Sequence, residues 1–223
     1  MWISEPMSRL MLAGGANLVD RVNALARSVP TWPIYLAGLI YPALLFWQAI
    51  TGALGADPVK AMEHALGIWA LRLIVLGLAI TPARRLLRLN LMKFRRAIGL
   101  VAFWFVCLHF LTWAVLDMGL LWGQIAADIA KRPYVTAGIV GLLALIPLAA
   151  TSTDSAIRRM GPVRWRRLHR LVHVAALAGA IHYVWLVKAW PVEPFIYLGL
   201  ILAFQAIRLR HFLRIGWQAG SAG

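Results

Sequence analysis

The side chains with the clearest chemical potential in this sequence are histidines within long apolar runs. Counted from the starts of two predicted spans, His109 is 13 residues after Arg96 and His182 is 14 residues after Leu168. Both spans are predicted to run outward, so the two imidazoles should lie at similar depth in the outer half of the membrane. Ionisable groups at membrane depth are costly and mark functional sites by default. A haem held by both imidazoles would have six-coordinate iron, which suits electron transfer.

A third histidine indicates a second redox position nearer the other membrane face. His169 precedes His182 by 13 residues, which is about 20 Å along an ideal helix. The two side chains should lie on different helix faces, because 13 steps of about 100° do not complete whole turns. At this level the third span offers Arg95 and Arg96, where a partner histidine would be needed. A bis-histidine haem is therefore disfavoured at the inner position.

The other ionisable residues in or beside apolar runs have both a functional and a structural interpretation. Arg72, deep in a span, either binds a haem propionate or flavin phosphate or pairs with another polar group. His173 is either a ligand or an interhelical hydrogen-bond partner. His64 opens the second span, where an interfacial role is favoured over ligation. His211, which follows the last span among arginines, is expected in a solvated basic end.

The elements that carry these histidines have a composition that excludes a soluble globular domain. The 223 residues are 61% hydrophobic and 14% charged, with a mean hydropathy of +0.74, as expected for a membrane protein. Nothing alternates with a period of two, so helices are expected rather than barrel strands. We predict an all-α polytopic membrane bundle of six transmembrane helices, at 31–51, 64–81, 96–117, 133–151, 168–188 and 194–209.

The charge distribution predicts the orientation in the membrane. The net charge of +15 comes from 23 Lys and Arg against 8 Asp and Glu. This excess would suggest nucleic acid binding in a soluble protein. Here the basic residues concentrate in the loops after the second and fourth spans, which indicates a cytoplasmic side, contact with anionic lipid and no nucleic-acid partner. Both termini are then cytoplasmic, and we expect a multi-pass protein of the bacterial inner membrane.

The positions of the apolar runs divide the sequence into three predicted parts. Residues 1–30 are predicted to be an interfacial segment, 31–209 the transmembrane domain and 210–223 a cytoplasmic tail. Leu18, Val22 and Leu25 share a helical face, which favours a helix lying on the membrane surface. A cleavable secretory signal is disfavoured, because polar residues interrupt its apolar run.

Several chemistries are excluded by what the sequence does not contain. Cys107 is the only cysteine, so this chain alone makes no disulfide, multi-thiolate zinc site, iron–sulfur cluster or CxxCH haem attachment. Neither a GxGxxG dinucleotide fingerprint nor a P-loop occurs, so neither supports nucleotide-driven work. Any catalytic domain is expected to belong to a partner.

Several short strings, taken together and in order, resemble the ferric-reductase-like transmembrane family and more closely its bacterial MsrQ (YedZ) branch. They cover most of the chain: GALGADPV (52–59), ITP (80–82), RRAIGL (95–100), LHF (108–110), KRPYVTAGIVG (131–141), TST (151–153), RWRRLHRLVH (164–173) and IHYVWLVK (181–188).

The resemblance implies a haem b membrane subunit that passes electrons to a periplasmic, molybdenum-containing MsrP partner, which reduces methionine sulfoxide in proteins. By position, His109, His169 and His182 match the family's functional histidines, with His109 and His182 the preferred haem pair. The resemblance also implies FMN, and electrons from the quinone pool or a cytoplasmic flavin reductase. Many members of the wider family have four histidine ligands and a C-terminal FAD/NADPH domain. This chain lacks the fourth matching histidine and has a short tail after Leu209, which implies a separate donor.

Two other functions fit the same residues. A small transporter could line a polar path with the histidines and Arg72, but the inverted repeat or paired broken helices that would favour it are not detectable. A haem-containing scaffold could assemble a partner without conducting electrons. We favour an inner-membrane electron conduit with the catalytic reduction in its partner, and we expect the acidic outer loops, including 57–63, to dock that partner.

Overall fold

The computed structural model describes residues 18–189 and 191–220, with side chains up to residue 210, and this part of the chain contains helices and no strand. The helices are α1 (Leu18–Ser28), α2 (Trp32–Ile50), α3 (Pro58–Leu86), α4 (Arg95–Leu111), α5 (Trp122–Lys131), α6 (Pro133–Ala150), α7 (Asp154–Met160), α8 (Pro162–Leu168), α9 (Leu171–Leu186) and α10 (Val192–Gly220). A 3-10 turn precedes α4 and a π-helical segment, Thr112–Asp117, continues it. The all-α prediction is confirmed for these residues. The first 17 residues and the His211 side chain lie outside them.

Within the part of the chain that the structure describes, five segments are long and apolar enough to cross a membrane, as expected for a multi-pass membrane protein. They are Trp32–Ile50, Pro58–Leu86, Met92–Asp117, Pro133–Ala150 and Val192–Arg210. Each coincides with one of the six predicted spans. The main difference in length is in the second, which was predicted at 64–81 and is longer at both ends.

The start of α3 has a local explanation in the sequence. The Asp57 carboxylate caps the helix by accepting the backbone N–H of Lys60 at 3.0 Å. Pro58 occupies the first helical turn, where its missing N–H is not needed. This start places Glu63 about one and a half turns and Gly67 about two and a half turns inside α3, beside the site described below.

The predicted span at 168–188 is the one that the structure changes most. Helix α8 ends at Leu168, and α9 begins only at Leu171. Helix α9 ends at Leu186 and has 16 residues. Its length is about 24 Å at about 1.5 Å per residue, which is less than the hydrocarbon core of about 30 Å. That α9 crosses the membrane, and that both termini are cytoplasmic, stay predictions.

The buried core lies where α9 meets its neighbours. Helix α9 packs against α6 and α10, and α3 packs against α4. Ala176 and Ala180 of α9 and Ile201 of α10 are 0% exposed, and Leu78 of α3 is 1% exposed. Small side chains such as these alanines let helix backbones approach closely, which is how helices associate in membranes. The close packing of α9 fixes the positions of the two histidines that it carries, His173 and His182.

Helix α1 is attached to the basic loop that follows α3. The Asn23 side chain donates to the Arg88 carbonyl at 3.0 Å and accepts the Asn90 N–H at 2.7 Å. Lys93 donates to the Arg27 carbonyl at 2.6 Å. On the other face of α1, Leu18 and Leu25 are exposed. The helix therefore lies on the same side of the bundle as this loop, with an apolar face uncovered.

Candidate functional site

The structure brings together the two histidines whose depths match in the sequence. His109 lies in the last turn of α4 and His182 lies one turn before the end of α9. Their ring centroids are 6.0 Å apart, and the ring planes are nearly perpendicular at 77°. Two imidazoles from two different helices therefore share one site.

Each of these rings is fixed by a hydrogen bond to a backbone carbonyl. The Nδ1 atom of His109 is 2.9 Å from the backbone carbonyl oxygen of Glu63, and Nδ1 of His182 is 2.7 Å from the backbone carbonyl oxygen of Tyr134. Because a carbonyl oxygen can only accept, Nδ1 carries the proton in both rings. Each Nε2 therefore keeps its lone pair, and this arrangement is how proteins prepare an imidazole to bind a metal.

The two rings line a large cavity between α3, α4, α6 and α9. The cavity contains about 1240 Å³ of empty space, part of it open to the outside. Its walls are mainly apolar, and several of the lining residues have small side chains or none: Gly67, Ala70, Gly138, Gly141, Ala175 and Gly179. A cavity with apolar walls and a few placed polar groups is the usual form of a cofactor site.

The spacing of the rings fits a metal held between them. A metal–imidazole bond of about 2 Å on each side, with each nitrogen about 1 Å from its ring centre, puts two such centroids about 6 Å apart. The observed distance is 6.0 Å. Among the described residues, no group of three or more His, Cys, Asp or Glu side chains could hold a bare metal ion. The pair therefore fits a metal that brings its own remaining ligands, as haem iron does.

Charged residues of both signs surround the mouth of this cavity. Lys60 pairs with Glu63 at 3.3 Å and with Asp117 at 2.7 Å, joining α3 to the end of the π-helical segment. Arg132 pairs with Asp128 at 3.2 Å. The neighbouring guanidinium–phenol hydrogen bond to Tyr134 raises the pKa of Arg132 above its ordinary value. The mouth is thus a polar rim over an apolar interior.

The structure does not bring His169 to this cavity. Its ring stacks on Trp165, with centroids 3.9 Å apart and an interplanar angle of 27°. Its Nε2 is 3.1 Å from the hydroxyl of Thr151, which itself donates to the Pro147 carbonyl, so Nε2 donates the bond. Trp165 also donates from its ring to the Thr151 carbonyl at 2.9 Å. His169 is held as part of an aromatic cluster, and its role at a second redox site stays a prediction.

Two further histidines, His64 and His173, have different surroundings. His64 lines the cavity, and its ring meets the Tyr183 ring edge-on at 6.1 Å. His173 accepts a hydrogen bond at Nε2 from Arg208 at 2.8 Å, and Arg208 also donates to the Leu78 carbonyl at 2.9 Å. His173 therefore takes the interhelical hydrogen-bonding arrangement that was one of its two predicted roles.

Arg72 also adopts the structural alternative. It pairs with Glu193 of α10 at 3.1 Å and donates to the Tyr197 hydroxyl at 2.8 Å. Its guanidinium lies 5.2 Å from the centre of the Trp69 ring. Arg72 is not among the residues that line the cavity. The prediction that it binds a cofactor therefore receives no support from its position, because a carboxylate of the protein already compensates its charge.

Sequence reasoning missed the residues that anchor the two imidazoles. Glu63 and Tyr134 act through their backbone carbonyls, which every residue type carries, so the identity of the residue gives no signal. Thr151 was also missed, because a threonine after an apolar run is typical of a helix end.

Comparison with known proteins places the chain in a family. Residues 66–180 match the family model described as the ferric reductase like transmembrane component. A protein of Brucella anthropi is 46% identical over 178 residues, which is 80% of this chain and 80% of that protein. A protein of Brucella ovis is 46% identical over 184 residues, 82% of this chain and 83% of that protein. The chain belongs to the MsrQ branch of this family.

Both Brucella relatives are named as the heme-binding subunit MsrQ of a protein-methionine-sulfoxide reductase. The part of this chain that the family model matches includes His109 and His169 and ends two residues before His182. It covers α3 from Leu66 onward and all of α4. The family match thus covers most of the four helices that surround the cavity.

Proposed function

We propose that this protein is a haem b membrane subunit that carries electrons across the bacterial inner membrane to a periplasmic methionine sulfoxide reductase. The observation that carries the proposal is the His109–His182 pair, with centroids 6.0 Å apart and both Nδ1 atoms bonded to backbone carbonyls. Haem with two imidazole ligands supplies one-electron transfer and has no open position for oxygen chemistry. The names of the MsrQ relatives support the cofactor and the reductase system.

The position of the cavity supports transfer toward the outer face. His182 lies four residues before the end of α9, and Tyr134 lies at the start of α6. The polar rim of Lys60, Asp117 and Arg132 is the nearest charged surface. By the distribution of positive charge this rim faces the periplasm, so the exit to a partner is short. Residues 57–63, predicted as an outer loop, form the cap and the first turns of α3. This start of α3 is the docking region that we propose.

The inner end of the bundle is where we propose that electrons enter. His169 and Trp165 form a stacked pair there, and Arg95 and the basic loops surround it. Membership of the MsrQ branch supports a donor from the quinone pool or a cytoplasmic flavin reductase, and a place for FMN, whose phosphate the basic inner side would favour. The reductase itself, a molybdenum-containing MsrP-like protein, would carry out the catalytic reduction. Residues 31–209 would form the haem-carrying domain, flanked by an interfacial segment and a cytoplasmic tail.

An absorption spectrum of the purified protein, combined with cofactor extraction, tests this proposal. We expect a reducible, low-spin b-type spectrum that is lost in the His109→Ala variant. The matched control is His173→Ala, which removes a histidine of α9 outside the cavity and should keep the spectrum. A wild-type protein without haem, or a His109→Ala variant with the full spectrum, would contradict the proposal.

A second measurement separates an electron conduit from an assembly scaffold. Membranes containing the wild-type chain should reduce the periplasmic partner when a quinol or flavin donor is supplied. Membranes containing His109→Ala should bind the same amount of partner and fail to reduce it. Equal reduction by both would favour a scaffold, in which the histidines do not conduct electrons.

A further inference from the structure

The ring of His109 packs against the surface of α3 at a glycine, Gly67. Its Nδ1 donates to the carbonyl of Glu63 in α3, and the residue four positions after Glu63 is Gly67. A Cβ atom at Gly67 would lie 3.0 Å from Nδ1 of His109 and 3.1 Å from its Cε1. Contacts this short would force the ring to move, so the observed position of the imidazole depends on the glycine.

The ring of His182 has the same surroundings on a different pair of helices. Its Nδ1 donates to the carbonyl of Tyr134 in α6, and the residue four positions after Tyr134 is Gly138. A Cβ atom at Gly138 would lie 3.0 Å from Nδ1 of His182 and 3.3 Å from its Cε1. The α3–α4 and α6–α9 pairs therefore repeat one arrangement of carbonyl, glycine and histidine.

The interval of four residues has a physical reason. In an α-helix each Cα–Cβ bond tilts toward the N-terminus, so the side chain of residue i+4 lies beside the turn that carries the carbonyl of residue i. A carbonyl oxygen has two lone pairs and can accept an imidazole N–H in addition to its helical hydrogen bond. The imidazole can reach that second lone pair only where the residue at i+4 leaves the surface open.

We propose that Gly67 and Gly138 are positioning residues for the two haem ligands. Each leaves a helical carbonyl accessible, so that the imidazole is held with Nδ1 protonated and Nε2 available to iron. This inference rests on the proposed function and adds the reason that both ligands have the same tautomer and orientation. It also gives a sequence signature, a glycine four residues after the acceptor, seen here as EHALG (63–67) and YVTAG (134–138).

The expected effect of replacing either glycine follows from its contact with the ring. In Gly67→Ala the methyl group displaces the His109 imidazole and weakens its bond to the Glu63 carbonyl. Loss of such an outer hydrogen-bond partner typically lowers metal affinity by about 10- to 100-fold. We therefore expect haem affinity to fall by about that factor, and part of the remaining haem to become high-spin. The midpoint potential should rise, because a less basic imidazole stabilises ferric iron less. Gly138→Ala should have the same effect through His182.

The chain offers matched controls for the methyl group itself. A Cβ atom at Gly77, also in α3, would meet only the Ile98 Cγ2 atom at 3.8 Å. A Cβ atom at Gly99, in α4, would have nothing within 4 Å. Gly77→Ala adds a methyl to the helix that carries Gly67, and Gly99→Ala adds one to the helix that carries His109. Neither methyl touches an imidazole, so both variants should keep the wild-type haem affinity, spin state and potential.

The experiment compares these four variants with the wild-type full chain. Haem content, low-temperature electron paramagnetic resonance and the midpoint potential are measured in isolated membranes and after purification. Membranes are included so that a variant of low yield still reports the spin state of the haem that it holds. We expect altered spin state and potential in Gly67→Ala and Gly138→Ala alone.

The outcomes separate this inference from the proposed function. A wild-type chain without a low-spin haem signal would overturn the proposed function, and the inference with it. A normal wild-type signal, together with Gly67→Ala and Gly138→Ala variants that behave like Gly77→Ala, would overturn only the inference. An effect at one of the two glycines alone would also overturn it, because the repeated arrangement requires both.

Discussion

The two ends of this bundle hold their histidines in opposite ways. We call the end with His109 and His182 the outer end and the end with His169 and His173 the inner end, after the orientation that we propose. At the outer end, His109 and His182 donate from Nδ1 to backbone carbonyls, which leaves Nε2 available beside an open cavity. At the inner end, Nε2 of His169 bonds to Thr151 and Nε2 of His173 bonds to Arg208. The same residue type is therefore prepared as a ligand in one place and used as a structural hydrogen-bonding group in the other. Which ring nitrogen the protein occupies decides the difference.

The two ends also differ in how their charges are compensated. The outer rim contains carboxylates that pair with Lys60 and Arg132. Toward the inner end, Arg208 has a histidine and a carbonyl as partners, and its Nε atom is buried without a partner among the described side chains. At the outer rim the cations Lys60 and Arg132 have carboxylate partners, whereas the inner end keeps excess positive charge. Among the described residues, buried polar atoms without a hydrogen-bond partner occur at both ends, Asp128 Oδ2 outside and Arg208 Nε inside. This contrast fits a fixed metal site outside and an anion-attracting surface inside.

The largest expected effect comes from replacing one histidine at a time, His182 in α9 or His169 just before α9. His182→Ala should abolish the low-spin haem of the outer site, because one of its two iron ligands is lost. His169→Ala should keep it, because that ring lies outside the cavity. Haem per protein and the reduced-minus-oxidised spectrum of the two variants measure the difference. If His169→Ala also lost the outer haem, the two ends would not be independent.

A smaller effect is expected from removing the partner of the inner histidine. Thr151→Val keeps the shape of the side chain and leaves the Nε2–H of His169 without its acceptor. The free energy of unfolding should fall by about 1–3 kcal/mol, measured by thermal or denaturant unfolding in detergent. Haem content and midpoint potential should not change.

The control for this substitution is Thr112→Val. The Thr112 hydroxyl donates to the Leu108 carbonyl one turn earlier in its own helix, so its loss breaks no bond between helices. A change of midpoint potential in Thr151→Val, but not in Thr112→Val, would mean that His169 is coupled to the outer site after all.

Most of the bundle could be predicted from the sequence because apolar length is a direct physical requirement for crossing a membrane. Five predicted spans coincide with apolar helices of sufficient length. The exception is 168–188, where the apolar run was counted from Leu168. The structure starts a new helix only at Leu171, because the arginine-rich helix α8 runs up to Leu168. Hydropathy identifies the apolar segment but not the turn that precedes it.

The candidate site could be predicted in part. Counting residues from the span starts placed His109 and His182 at one depth, and their rings do meet. The partner of Arg72 could not be found in this way. Glu193 lies just before the predicted sixth span at 194–209, whereas α10 begins at Val192 and brings that carboxylate to Arg72. The carbonyl acceptors were invisible as residue types, and only the glycines four residues later could have indicated them.

Replacing Arg72 tests the predicted cofactor binding that the position of this residue does not support. Arg72→Leu should lower the free energy of unfolding by about 1–3 kcal/mol, because the Glu193 carboxylate and the Tyr197 hydroxyl lose their partner. Haem content and midpoint potential should equal those of the wild type. Glu193→Gln is the matched control, since it removes the same ion pair from the other helix. A potential shift in Arg72→Leu that is absent from Glu193→Gln would restore a direct interaction between Arg72 and a haem propionate.

The smallest expected effect concerns the ion pair at the basic side of the bundle. Arg96 of α4 pairs with Asp154 at the start of α7 and holds the pKa of that carboxyl below its ordinary value of 3.8. A carboxyl whose pKa is lower in the folded state stabilises the fold above its unfolded pKa, and this contribution is lost as the pH falls through the folded pKa. The melting temperature of the wild type should therefore exceed that of Asp154→Asn slightly at pH 7 and equal it near pH 2. A difference that persists at low pH would mean that the Asp154 side chain stabilises the start of α7 in a way that does not depend on its charge.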